Sequence, residues 1–353
     1  MAHQGLTREA RPAGLAELFD ELEATAERAA DAVGGFEDIF VRVAGLAVRL
    51  RFAGPALMPR LAPSLAHLAC DPVDVPALTV RLFDGMSTST DLPPLPWGEE
   101  AYRDNGRVHA RVDGELVAIF EPRTFSVWRQ EARRGLYWIG SPAEVHYAET
   151  GSPLLRILSP WLASRGIQFA HGGAVGDPDG CVLIVGRGGA GKSSTVLACL
   201  QSDLALLGDD YCLLGPENPP VVHSIYSAAK THADTLERLP FLAPMVSNPD
   251  RPDGDKALCF LAEHAPGKLL QHAPLRALAL PRISGRRETV TEPAPRAAVL
   301  GALAPSTLFQ LASPDPSALA RIGEVVRSVP CHYLDVGTDA AQIPPAVRSL
   351  VRA

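Results

Sequence analysis

The sequence predicts an α/β domain built around a phosphate-binding loop, preceded by a strand-rich α+β domain, and three observations support this fold class. An octet of the form G-x-x-x-x-G-K-S, at residues 186–193, lies between an apolar strand and a helix. An acidic pair, Asp209-Asp210, ends the next apolar strand. Upstream of both, short runs of alternating apolar residues separated by turn residues are typical of an antiparallel meander.

The octet is the sequence signature of a loop that holds nucleotide phosphates. Its glycines let backbone N–H groups turn towards an anion, and the helix that follows directs its N-terminus at the same place. We expect Lys192 to reach the β- and γ-phosphates and Ser193 to bind Mg²⁺. The residues predicted to contact the nucleotide are Gly186, Gly188, Gly189, Ala190, Gly191, Lys192, Ser193 and Ser194.

The strand that enters the octet is predicted to be the second arm of a hairpin. Residues 166–175 and 181–185 look like strands, and the segment 176–180 between them has turn chemistry at every position. Doubly wound nucleotide-binding domains instead feed this loop from a parallel βαβ unit. The sequence therefore predicts an antiparallel entry into the phosphate loop.

Asp209 and Asp210 follow the predicted strand 204–208, one short helix after the octet. Two carboxylates that face a magnesium nucleotide can divide two tasks, because one can bind the metal while the other accepts a proton from a hydroxyl. We assign Asp209 as the base and Asp210 as the metal ligand, and the sequence leaves the exchanged assignment open. The structural alternative is that one of them caps a turn.

Three segments together, His171-Gly172, residues 186–194 and residues 207–210, resemble the HPr kinase/phosphorylase family and its wider group of serine kinases. The core of the resemblance covers residues 165–215. It implies the P-loop fold that this family shares with ATP-dependent phosphoenolpyruvate carboxykinase, and it implies ATP and Mg²⁺ as cofactors. The bifunctional HPr enzymes carry a second, Gly- and Arg-containing signature. It has no clear copy here, which argues against phosphorolysis and against HPr as the substrate.

Segments 223–230 and 280–282 look like a bacterial branch of these kinases. Some members of that branch occur with ribosomal peptide pathways, including lasso-peptide pathways, where the kinase modifies a precursor peptide. The resemblance therefore implies a peptide or protein substrate that carries a serine. It also implies that His171 lines the active site, although a lone histidine at a strand end is often structural.

Further candidates for the site follow from residue type and position. Arg282 comes directly after the predicted strand 277–280 and could bring a guanidinium to the transferring phosphate, the alternative being a surface arginine. The chain has four lysines against 29 arginines, so Lys230 and Lys256 are candidates for contacts that need a compact ammonium, although a solvated lysine is the commoner case. Tyr226 is a weaker candidate for the substrate pocket.

Residues 1–150 are predicted to form a separate α+β domain for substrate recognition or dimerisation. The predicted helices are 15–32, which is amphipathic, and 56–69, which contains two prolines. A hairpin or a pair of strands is predicted over 38–52. The remaining predicted strands are 78–83, 108–112, 116–120, 125–129 and 136–139.

Residues 151–353 are predicted to form the kinase domain. A helix over 152–165, interrupted at Pro160, leads into it. Later elements are a strand over 332–336 and helices over 305–312 and 317–329. Because every predicted nucleotide contact follows residue 152, we expect a fragment that begins near Ser152 to keep the nucleotide site.

Composition excludes some classes of function. The net charge is −7 and the pI is about 5.8, without the basic stripe typical of nucleic-acid binding. The sequence lacks an apolar N-terminal segment and a run long enough to span a membrane, which predicts a cytoplasmic protein without a membrane partner. The sequence leaves open whether the chain forms a homo-oligomer.

The sequence thus predicts an ATP-dependent phosphotransferase acting on a serine hydroxyl of a peptide or protein. Two other classes remain open, a small-molecule hydroxyl kinase and a nucleotide-binding switch that is not a kinase. The 150-residue N-terminal domain favours the peptide or protein class, because a small substrate does not need a separate recognition surface.

Overall fold

The computed structural model describes residues 15–95, 109–113, 116–121, 123–311 and 315–352. It is a mixed α/β protein with several sheets. The helices are α1 (Leu15–Ala32), α2 (Met58–Leu61), α3 (Gly85–Thr88), α4 (Tyr147–Gly151), α5 (Leu155–Ala163), α6 (Lys192–Ala198), α7 (Ala233–Arg238), α8 (Leu261–His264), α9 (Arg296–Leu308), α10 (Ala318–Ser328) and α11 (Ile343–Val351).

The strands belong to three sheets. They are β1 (Phe36–Val43), β2 (Leu46–Ala53), β3 (Leu78–Asp84), β4 (His109–Asp113), β5 (Leu116–Glu121), β6 (Thr124–Arg129), β7 (Arg134–Ile139), β8 (Gln168–Asp177), β9 (Gly180–Val185), β10 (Ala205–Gly208), β11 (Tyr211–Leu214), β12 (Val221–His223), β13 (Ala228–Thr231), β14 (Ala257–Phe260), β15 (His272–Ile283), β16 (Val290–Pro293) and β17 (Cys331–Val336).

Contacts divide the chain into two compact units that interleave along the sequence. The first contains the described residues of 1–38, 51–57 and 79–144, and the second contains 39–50, 58–78 and the described residues of 145–353. The predicted division at residue 150 stays a prediction. Within the described residues, none of the helices has both the length and the apolar character needed to cross a bilayer.

The first sheet has the strand order β1-β2-β3-β7-β6-β5-β4. Strands β4 to β7 form the predicted antiparallel meander, and β3 pairs with β7 in parallel. Residue 108, the predicted start of the meander, lies outside the described residues. Helix α1 begins and ends where its amphipathic pattern predicts, and its apolar side, including Leu18, Phe19 and Leu22, is buried in the core of this unit.

The second sheet, of eight strands, holds the core of the other unit. Strand β9 pairs with β8 antiparallel, which confirms the predicted hairpin, and with β15 in parallel. Side chains of β9 alternate between two layers. Val182 and Ile184 lie in a cluster with α6 and α11, whereas Leu183 and Val185 lie in a cluster with α9 and α10. The sheet is therefore covered by helices on both faces.

One glycine of this sheet permits a close approach beside the acidic pair. A Cβ atom on Gly173 would lie 2.5 Å from Val196 Cγ2 of α6 and 2.7 Å from the backbone oxygen of Asp209. The chain can therefore bring α6 and the turn between β10 and β11 together only because residue 173 has no side chain.

Three predicted helices differ from the observed ones, and prolines explain each difference. The segment 56–69 is two short pieces, α2 and a 3₁₀ turn over Pro63–Leu68, rather than one helix. Helix α5 continues through Pro160 instead of breaking there, and it begins only after Pro153. Helix α9 runs from 296 to 308 with Pro305 inside it, so the prediction of a helix beginning at Pro305 was wrong. The predicted end of that helix, Ala312, lies outside the described residues.

Candidate functional site

The glycine-rich octet forms the connection between β9 and α6. Strand β9 ends at Val185, α6 begins at Lys192, and residues 186–191 form the glycine loop between them. Gly189 and Gly191 have φ angles of 78° and 90°, which is the left-handed region that glycine adopts without strain. The glycines thus fix the path of a tight turn between a buried strand and a helix.

Lys192 lies across this loop. Its side chain is buried, and Nζ donates to the backbone oxygens of Gly186 at 2.9 Å and of Arg187 at 3.3 Å. Burial lowers the pKa of Lys192, while the nearby carboxylates of Asp210 and Asp209 act in the opposite direction. An ammonium is thereby held at the mouth of the glycine loop.

Asp209 is fully buried beneath the loop, with 1% of its surface exposed. Its Oδ2 accepts a hydrogen bond from the backbone N–H of Lys230 at 3.1 Å. Burial and the neighbouring Asp210 raise the pKa of Asp209 to about 6, against the opposing effects of the Lys230 N–H and the Ser193 hydroxyl. Its Oδ1 is buried without a hydrogen-bond partner among the described residues.

Asp210 has a different environment, although it is the next residue. Its Oδ2 lies 2.6 Å from Lys230 Nζ, and its Oδ1 lies 3.3 Å from His171 Nε2. Burial favours the neutral acid, but the Lys230 ammonium and His171 outweigh it and hold the pKa of Asp210 well below its usual range. Asp210 therefore stays a carboxylate near neutral pH.

His171 reaches Asp210 because of the strand register. Strands β8 and β11 pair with His171 opposite Tyr211, the residue after Asp210. On the other side of the imidazole, Gln310 Nε2 donates to Nδ1 at 3.0 Å, and the Tyr211 hydroxyl donates to Gln310 Oε1. The backbone oxygen of Ser306 also lies 3.2 Å from Nδ1 and could only accept from it. When Nδ1 instead accepts from Gln310, the neutral ring carries its proton on Nε2, facing Asp210.

These groups surround a cavity of about 780 Å³. Among the described residues that line it, five are lysines or arginines and two are acidic. The basic ones are Arg187, Lys192, Lys230, Arg238 and Lys256, and the acidic ones are Asp210 and Asp234. The excess of positive charge suits a polyanionic ligand.

Most of the predicted site residues lie together. His171, Lys192, Asp210 and the predicted loop residues Gly188, Gly189, Gly191, Ser193 and Ser194 line the cavity. Gly186 and Ala190 belong to the same loop without lining the cavity, and Asp209 lies buried behind it. Lys230 and Lys256, the two lysine candidates, also line it.

Arg282 and Tyr226 are placed elsewhere. Arg282 is not among the described residues that line the cavity; it pairs with Asp335 at 2.6 Å and with Glu292, and stacks on the Tyr333 ring. In the structure, these contacts engage the guanidinium of Arg282. The catalytic role of Arg282 stays a prediction. Tyr226 is buried, and its hydroxyl donates to the backbone oxygen of Pro153 at 2.9 Å.

Several residues that hold the site in place have no local signal in the sequence. Gln310 contacts His171 from 139 positions away, Ser152 contacts Lys230 from 78 positions away, and Thr235 contacts Ser194 at 2.9 Å. None of these residues belongs to a recognisable motif. Only the tertiary structure brings them to the cavity.

Comparison with known proteins finds similarity among solved structures. No protein-family profile matches the chain, and no curated protein matches it. Among solved structures, the chain is similar to the Hpr(Ser) kinase/phosphatase from Coxiella burnetii at 14% sequence identity and a TM-score of 0.28. That similarity covers 52% of this chain and 94% of the other.

Proposed function

We propose that this protein is a phosphotransferase that moves the γ-phosphate of ATP to a serine hydroxyl of a peptide or protein. The observation that carries the proposal is one cavity lined by both Lys192, the first residue after the glycine loop, and Asp210, in the turn between β10 and β11. Phosphoryl transfer needs a cation such as Lys192 to hold the phosphates of the donor. It also needs a carboxylate such as Asp210 to orient the acceptor hydroxyl and take its proton.

The glycine loop is the proposed site for the phosphates of ATP, as a P-loop. Its sequence matches the P-loop signature at every specified position, and its backbone turns between a strand and a helix as that signature requires. Lys192 would leave the backbone oxygens of Gly186 and Arg187 for the β- and γ-phosphates. The other four basic side chains that line the cavity add to the same positive field.

The residues present also fit a magnesium ion. Asp209 Oδ1 is a buried carboxylate oxygen without a hydrogen-bond partner among the described residues, and the carboxylate interacts with the Ser193 hydroxyl. Mg²⁺ takes oxygen ligands of this kind. When bound, Mg²⁺ neutralises charge on the transferring phosphates. We therefore propose Ser193 and Asp209 on the metal side, which is the exchanged form of the assignment made from the sequence.

Asp210 is then the proposed base. A base must come within hydrogen-bond reach of the hydroxyl proton, and Asp210, unlike Asp209, lines the cavity. His171 Nε2 and Lys230 Nζ hold its two oxygens in place. The lowered pKa makes Asp210 a weak base. A loose transition state tolerates a weak base, because phosphoryl transfer depends more on positioning and charge stabilisation than on early removal of the proton.

The acceptor class rests on the sequence resemblance rather than on the cavity. The test is transfer of radiolabelled γ-phosphate to serine-containing peptides, using the products of neighbouring genes as candidates. Small hydroxyl compounds serve as the competing class. Labelling of a small molecule without any labelled peptide would replace the peptide substrate by a small one.

Lys192→Ala tests the donor site. We expect it to lower turnover by several orders of magnitude while the thermal melt stays that of a folded protein, because phosphoryl transfer depends on positioning and charge stabilisation. The matched control is Lys268→Ala, since Lys268 lies away from the cavity and donates to the backbone oxygen of Ser202. Near-normal turnover in a folded Lys192→Ala variant contradicts the proposal.

A further inference from the structure

Lys230 is held in the cavity by contacts on several sides. Its side chain is 7% exposed, and Nζ lies 2.6 Å from Asp210 Oδ2 and donates to Ser152 Oγ at 2.9 Å. The face of the Tyr211 ring lies 5.7 Å from the same nitrogen, within the range of a cation–π contact. An ammonium has three N–H donors, so Asp210 and Ser152 together take two of them.

The residue before Ser152 makes room for the stem of this lysine. A Cβ atom on Gly151 would lie 3.0 Å from Lys230 Cδ and 3.3 Å from Lys230 Cγ. It would also lie 3.1 Å from Leu258 Cδ1 on the neighbouring strand β14. Gly151 does not have a positive φ angle, so what the structure uses here is its small size rather than its conformational freedom.

We propose that Gly151 and Ser152, at the end of α4, are positioning residues that set the place of the Lys230 ammonium beside Asp210. Gly151 lets the aliphatic stem pass, and the Ser152 hydroxyl then gives the buried ammonium a fixed second acceptor. The inference rests on the proposed function, because Lys230 matters to transfer only if Asp210 receives the acceptor hydroxyl.

The physical reason is that a long lysine side chain has many rotamers, whereas the chemistry needs one. With Asp210 as its only acceptor, the ammonium could pivot about that single contact. The contact with Ser152 adds a second fixed point on another element. A displacement of about 1 Å in a group that orients reactants can lower the rate by about 100-fold, so the second point affects turnover more than it affects folding.

Two substitutions displace Lys230 in different ways. Ser152→Ala removes the acceptor and leaves the space. Gly151→Ala keeps the acceptor and pushes on the stem, while alanine is a better helix former than glycine and so does not weaken α4 through its backbone. The matched control is Ser159→Ala, which removes a buried hydroxyl that has no hydrogen-bond partner among the described residues and lies outside the cavity lining.

The experiment measures kcat and KM for ATP in the full chain, with thermal melts. We expect Ser152→Ala to lower kcat by about tenfold and Gly151→Ala, which displaces the stem by a few tenths of an ångström, to lower it about threefold. KM for ATP should stay within about twofold of wild type in both. Ser152→Thr, which keeps the hydroxyl, should recover part of the loss, and Ser159→Ala should match wild type. Unchanged kcat in a folded Gly151→Ala variant overturns the proposal, whatever the stability of Ser152→Ala.

Spectra of protein labelled with ¹⁵N at the lysine side chains separate this inference from the proposed function. The chain has four lysines, so the Lys230 signal is identified by its loss in Lys230→Arg. Ser152→Ala and Gly151→Ala should shift this signal and leave that of Lys268 in place. An unshifted Lys230 signal overturns the positioning contact. The variants could shift the Lys230 signal while the wild-type protein transfers no phosphate. That result overturns the proposed function and the catalytic consequence, but not the contact.

Discussion

Asp209 and Asp210 are neighbours in sequence, but their surroundings shift their pKa values in opposite directions. Asp209 points into the protein, where burial and the charge of Asp210 raise its pKa to about 6. Asp210 points into the cavity, where the Lys230 ammonium and His171 outweigh burial and lower its pKa. Residues adjacent in sequence can therefore take different parts in one reaction, and sequence order alone does not tell which is which.

Substitution of each aspartate tests the division of roles. We expect Asp210→Asn to lower kcat by at least about 100-fold with little change in ATP affinity, because it removes a group used in the transition state. Asp209→Asn should instead raise the Mg²⁺ concentration that half-maximal turnover requires. The measurements are magnesium titrations of initial rates and calorimetric ATP binding. The reverse pattern would restore the assignment made from the sequence, with Asp209 as the base.

The side chain of Gln310 gives a second test at this scale. Its amide donates to His171 Nδ1 at 3.0 Å, where it competes with the backbone oxygen of Ser306, which lies 3.2 Å from the same nitrogen and could only accept. The amide therefore favours the tautomer whose proton is on Nε2, the nitrogen that faces Asp210. We expect Gln310→Leu to lower kcat several-fold and to change the ¹⁵N chemical shifts of the His171 ring towards a mixture of tautomers. Identical ring shifts in the variant would remove Gln310 from the site. The control is Gln342→Leu, at an exposed residue on a short helix that does not line the cavity.

Elements with a local signal were predicted well from the sequence. The amphipathic spacing that predicts α1 repeats every few residues, and the turn residues that predict the hairpin of β8 and β9 are consecutive. Both predictions were confirmed. The prediction for α9 is wrong because proline favours the first turn of a helix, whereas Pro305 lies within this one. The sheet formed by β13 and β14, which carries Lys230, joins segments about 30 residues apart and has no local signal.

The 3₁₀ turn over 63–68 is an element whose contacts lie far away in sequence. His67 Nε2 lies 2.7 Å from Ser224 Oγ, and burial lowers the pKa of His67 to about 4. Since the folded pKa lies below the unfolded value, the unfolded chain binds more protons between these values. The stability linked to His67 is therefore fully present above pH 6.5 and is lost as the pH falls towards 4.

Thermal or urea unfolding at pH 7 and pH 5 measures this effect. Between these values His67 should account for a loss of at most about 2 kcal/mol in the free energy of unfolding. We expect His67→Gln, which keeps a polar group for Ser224 but does not titrate, to lose less stability than wild type over the same interval. An equal loss in both proteins would show that His67 is protonated without cost in the folded state. His264→Gln serves as the control for an exposed histidine.

At the scale of the whole molecule, the compact unit that holds the glycine loop includes a segment from the first quarter of the chain. Residues 58–78 belong to the same compact unit as the glycine loop and the acidic pair. Ser64 accepts hydrogen bonds at its backbone oxygen from the N–H and hydroxyl of buried Ser227, and its own hydroxyl donates to the backbone oxygen of Thr150. The turn that carries Ser64 also packs against α8.

This arrangement changes the expectation for a fragment that begins at Ser152. Such a fragment keeps the glycine loop, Lys192 and both aspartates, but Ser227 N–H and Ser224 Oγ lose their partners on residues 64 and 67. Each buried group left without a partner costs about 1–3 kcal/mol, and each kcal/mol corresponds to about 2–4 °C for a chain of this size. We expect fragment 152–353 to melt at least about 5 °C below the full chain, or to lack a cooperative transition.

Circular dichroism melts of the fragment alone and with a synthetic peptide of residues 58–78 test this expectation. The peptide should raise the melting temperature, because it returns the acceptor for Ser227 and the partner for Ser224, whereas a peptide of the same composition in scrambled order should not. A fragment that melts like the full chain and binds ATP without the peptide would show that residues 152–353 fold independently. It would also support the division at residue 150, because residues 58–78 would then be dispensable to the nucleotide site.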